Sequence, residues 1–76
     1  MKNRAYEIAQ SVKEMLYDTF NILSDVKVIS DHMIHVRVID KNAEYVMKLL
    51  EVNYCESLMF VAMSTMSEVT TLTYYC

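Results

Sequence analysis

The side chains that could carry chemistry are few: Asp31, His32 and His35 in one short stretch, and Cys55 and Cys76 far from it. Histidines three residues apart converge on one side of a helix and would offer two imidazole nitrogens to a metal ion. This stretch reads instead as a hairpin, where that spacing sends the two rings to opposite faces of a sheet. Adding both cysteines gives a Cys2His2 tally at none of the usual zinc spacings. A plain turn histidine and a plain strand histidine are therefore expected. Cys55 with His35 as its base would make a nucleophile. Against this, free cysteine mostly behaves as a small apolar residue, and no oxyanion-stabilising loop or local motif surrounds Cys55. No catalytic residue, metal or cofactor is expected, and the chain reads as non-enzymatic.

The elements that position these residues follow from periodicity. Ala5, Ile8, Ala9, Val12, Leu16, Phe20 and Leu23 recur at three- and four-residue steps, predicting a helix from about Asn3 to Leu23. Tyr6 and Tyr17 flank this stripe and can touch one neighbour. Alternation predicts strands over Asp25 to Ile29 and Ile34 to Ile39, with Ser30-Asp31-His32 as the turn. Asp40 or Asn42 is expected to cap a second helix, Ala43 to about Asn53, whose buried stripe is Val46, Met47 and Leu50. Ser57 to Thr65 and Val69 to Tyr75 read as two further strands around Ser67-Glu68.

The predicted fold is thus a single α+β domain over 1–76, in the order αββαββ, with two helices on one face of a four-stranded antiparallel sheet. This order is a circular permutation of the ferredoxin-like βαββαβ arrangement; it equally describes two αββ units related by a pseudo-dyad. Both sides of the third strand are apolar, Leu58, Phe60 and Ala62 on one and Met59, Val61 and Met63 on the other. A strand in a two-layer domain ordinarily shows water on one side. The second sheet face is therefore expected to be covered by another copy of the chain or by a different protein.

Composition narrows the function classes. The 76 residues include no glycine and no proline, where average usage would supply about nine. Every turn must be made from other residues, and no glycine-rich phosphate loop exists. All seven basic side chains lie in residues 1–48, balanced there by seven acids, so the net charge of −3 resides in residues 49–76. An acidic pI near 5.2 argues against direct nucleic-acid binding. The longest apolar run, Leu58 to Met63, is far short of the roughly 20 residues of a membrane span. With no recognisable export signal and two cysteines, a cytoplasmic location is expected.

The charge-poor segment after residue 48 concentrates Met and Tyr, residue types enriched in interface cores. Met59, Val61, Met63, Leu72, Tyr74 and Tyr75 are the expected self-association surface; Tyr6, Lys13, Tyr17, His35 and Arg37 are the expected contacts for a partner. The expected activity is that of a homodimeric protein-binding domain that inhibits or modulates a larger host or cellular protein. The alternative is an assembly subunit with no regulated target. In size and make-up the chain resembles the small accessory proteins that bacteriophages and mobile elements direct against host defences. That resemblance is one of composition and carries no residue roles over.

Overall fold

A computed structural model describes residues 4–76. The elements run α1 (Arg4–Phe20), β1 (Asp25–Ser30), β2 (Met33–Ile39), a 3-10 turn (Asp40–Asn42), α2 (Ala43–Asn53), β3 (Met59–Met66) and β4 (Val69–Tyr75). The expected first residue of the leading helix, Asn3, lies outside the described residues. The strands form one antiparallel sheet in the order β1-β2-β4-β3. Between the sheet and the helices lies one core, built from Ala5, Ala9, Val12 and Leu16 of α1, Val46 and Leu50 of α2, and Ile34, Val36, Val38, Leu72 and Tyr74 of the two central strands. Burying each large aliphatic side chain contributes about 1.5–3 kcal/mol.

Contacts between the helices pair the end of each with the other's far half. The Phe20 ring meets Tyr45 edge-on at 6.1 Å, and the hydroxyls of Ser11 and Tyr54 lie 2.6 Å apart. The helices are therefore antiparallel. α1 lies over β1 and β2, and α2 over β4.

Without glycine, the tight reversals fall on other residues. Asn21 adopts φ 57° at the end of α1, its amide donating to the Tyr17 carbonyl (3.0 Å) while that of Ile22 donates to Leu16 (2.8 Å). Asparagine tolerates this left-handed geometry and caps the helix. The helix consequently stops three residues short of the predicted Leu23. Ile22 enters the core in its place and Leu23 is left 77% exposed. Ser67 and Glu68 adopt φ 51° and 67° between the paired Met66 and Val69. This is the two-residue turn with both central residues left-handed that matches strand twist.

Asp40 does not cap α2, and neither does the side chain of Asn42. The Asp40 carboxylate accepts instead from the buried Thr70 hydroxyl at 2.6 Å, while Thr70 and Thr65 share a further hydroxyl contact of 2.9 Å. Its amide donates to the Glu68 carbonyl at 2.8 Å. The turn into α2 is thereby tied to the C-terminal hairpin.

Candidate protein-binding surface

Cross-strand rows show what each sheet face presents. On the helix side the rows are Val26-Val36-Leu72-Met63, Val28-Ile34-Tyr74-Phe60 and the shorter Val38-Thr70-Thr65. Their central members are buried, whereas their β3 members lie beyond the cover of the helices. On the open side, Asp25-Arg37-Thr71-Ser64 and Lys27-His35-Thr73-Ala62 form two polar rows. These are flanked by Ile39-Val69-Met66 at one end and Met33-Tyr75-Met59 at the other. The polar centre forms a shallow depression of about 670 Å³.

This arrangement corrects the expectation of an apolar second face. The pairing slips between Phe60 and Ala62, so Val61 is a bulge residue that resets the alternation of β3. Met59 and Met63, read as one side of the strand, are on opposite sides. Phe60, expected opposite Met63, shares the helix side with it and meets the Tyr74 ring edge-on at 5.6 Å. The open face is polar enough to meet water, and the apolar surplus gathers on β3 itself. All eight residues of β3 are exposed, with Met59, Phe60, Val61, Met63 and Met66 between 44% and 76% accessible. Among the described residues only β4 pairs with β3, whose outer edge has no partner strand among them.

Of the six residues expected to mediate self-association, Met59, Val61, Met63 and Tyr75 are exposed. Leu72 and Tyr74 are not: both sit on the helix side of a central strand and belong to the core, Leu72 at full burial. Burial pushes the Tyr74 phenol up to about 12, with the Glu51 carboxylate adding to the rise. Met66, in the same Met- and Tyr-rich hairpin, is exposed as well. Phe60 is the surface residue of β3 that the periodic reading missed, because the bulge leaves no mark in the sequence.

The expected partner contacts divide between two sides of the molecule. Tyr6, Lys13 and Tyr17 form an exposed line along α1, since 7- and 11-residue steps return to nearly the same helical direction. Tyr6 and Lys13 edge a groove against Val26 and Val28 of β1. His35 and Arg37 lie on the open sheet face, where the Arg37 guanidinium sits 3.5 Å and the Lys27 ammonium 3.9 Å from the Asp25 carboxylate.

The remaining titratable candidates stay apart. His32 stacks on Tyr75 at the β1–β2 turn, with ring centroids 5.8 Å apart, while His35 projects from the open face. Cys55 and Cys76 line a separate depression with Arg4 and Tyr75; burial raises the Cys76 thiol, opposed by Arg4. Among the described residues no group of three or more His, Cys, Asp or Glu side chains is placed to hold a metal ion. Nor is any helix among them long and apolar enough to cross a membrane. No family model, curated protein or solved structure matches the chain.

Proposed function

We propose that the chain is a non-enzymatic protein-binding domain, a homodimer that inhibits or modulates a larger protein by occupying its surface. The single observation that supports this reading is β3, an uncharged eight-residue edge strand with exposed apolar side chains on both faces. An exposed apolar edge of this kind is a template for pairing with another chain. Self-association through the hairpin would leave the α1 line of Tyr6, Lys13 and Tyr17 free to meet the target. The chain's size and make-up favour a cytoplasmic accessory protein of a phage or mobile element acting on a host protein, with no direct contact to nucleic acid or membrane.

The fold reading that accompanies this proposal is the permuted ferredoxin-like one. Moving β4 to the front of the chain gives βαββαβ, and the spatial order β1-β2-β4-β3 is also symmetric about the β2–β4 boundary. The permuted description and the pair of αββ units are thus one topology described in two ways.

The test is the solution mass by light scattering, at low micromolar concentration with reductant, of the native chain and of Met59→Lys and Met63→Lys. The proposal expects a native dimer, at twice 8.9 kDa, and loss of self-association with unchanged helix content in Met63→Lys at the least. Larger closed or open arrays would favour the assembly subunit instead. A native monomer would overturn the homodimer.

A further inference from the structure

We infer that β3 pairs antiparallel with β3 of a second copy about a two-fold axis at Ser64, joining two four-stranded sheets into one of eight strands. This rests on the homodimeric reading above and specifies its contact.

Three observations on β3 carry the pairing. Beyond the bulge at Val61, the segment Ala62–Met66 pairs regularly with β4 and ends at the turn, so it is the straight part of the edge, and Ser64 is its centre. With Ser64 opposite itself, Met66 faces Ala62 of the second copy on the open side, and Met63 faces its Thr65 on the helix side. Each long side chain then meets a short one, so the segment is complementary to itself. A two-fold axis also places like residues near one another, and opposed like charges are destabilising. No charged residue occurs between Ser57 and Ser67, so nothing in the strand repels its own copy.

The other ways of joining two copies lack these properties. Stacking the open faces would cover the polar rows and take Asp25, Lys27 and Arg37 of both copies out of water. Pairing through β1 would bring Asp25 and Lys27 to the axis. Edge pairing through β3 instead supplies partners for exposed backbone groups and covers Met63 and Met66. It also sets the two polar depressions on one continuous face and leaves both α1 lines at the outer margins.

The experiment uses the full chain with Cys55→Ser and Cys76→Ser, carrying Ser64→Cys in one version and Thr71→Cys in another, exposed to oxidised glutathione. Directly opposed residues of an antiparallel pair have Cα atoms about 4.5–5.5 Å apart, within disulfide reach. Two thiols give up two electrons and two protons, forming one disulfide and two molecules of reduced glutathione. The expected result is a covalent dimer from Ser64→Cys and none from Thr71→Cys, which sits on the open face. Separately, Ser64→Lys should weaken dimerisation at least about tenfold with an unchanged circular dichroism spectrum. A dimer that cross-links through Thr71→Cys, or that fails to cross-link through Ser64→Cys and ignores Ser64→Lys, overturns the edge pairing while the homodimer stands. A native chain that remains monomeric overturns both.

Discussion

The two edges of this sheet, β1 and β3, expose themselves differently. β1 has six residues, carries Asp25 and Lys27 on its open side, and is packed by α1, which half-buries Val26. β3 has eight residues, carries no charge, and lies beyond the helical layer with every residue exposed. Proteins commonly guard an exposed edge with charge, proline, bulges or a covering element. β1 has charge and cover; β3 has only its bulge at Val61. The difference shows that the location of an apolar surplus within a sheet, more than its amount, distinguishes buried core from exposed surface.

The sharpest way to break this comparison is to truncate across one helix-side row. Leu72→Ala is expected to lower stability by about 2–5 kcal/mol. Met63→Ala, at the uncovered end of the same row, should cost under about 1 kcal/mol. Urea unfolding at low protein concentration measures both, and comparable losses would mean that Met63 is core.

Asp40→Ala should follow, with a loss of about 1.5–3 kcal/mol, because it leaves the buried Thr70 hydroxyl without its charged acceptor and removes the side-chain half of the tie between the hairpin and the start of α2, the amide bond to Glu68 remaining. A stability change near zero in the same experiment would remove Asp40 as the tie. The Tyr74 phenol gives a pH signature of the covered face. Its folded-state value lies above the unfolded one, so its neutral form contributes stability that is fully present below about pH 10. That contribution falls away as pH rises toward about 12. Alkaline melts of the native chain should lose on the order of 1–2 kcal/mol across this window, a loss absent from Tyr74→Phe; matching alkaline profiles would place Tyr74 in solvent. The smallest effect runs the other way: Glu68→Gly relieves a left-handed non-glycine residue in the hairpin turn and should stabilise by about 1 kcal/mol, read as a rise in melting temperature.

Much of the fold was legible because its signals are local and periodic. The stripe of Ala5, Ala9, Val12 and Leu16 required a helix face, and Ala43 to Asn53 appears with its predicted bounds. Alternation placed Ile34, Val36 and Val38 on one face of β2. The failures occurred where one residue changes parity or competes for two roles. Asn21 ended α1 early by turning left-handed, which no hydrophobic pattern records. Val61 resets the alternation of β3 and splits between two faces the residues that strict alternation puts on one side. Asp40 had a helix to cap and a buried threonine to accept from, and long-range packing chose the threonine. Leu72 and Tyr74 belong to the core although they lie in a Met- and Tyr-rich segment, a composition that suits a core as well as an interface; the strand order makes β4 central and β3 an edge.

Concentration-dependent hydrogen exchange, resolved for β1 and β3 in the same sample, decides whether β3 pairs between copies. The β3 amides should become more protected as the chain is raised from nanomolar to high micromolar concentration, while β1 amides exchange at one rate throughout. Protection of β3 that is independent of concentration, or that rises equally in β1, would mean that β3 does not pair with a second copy.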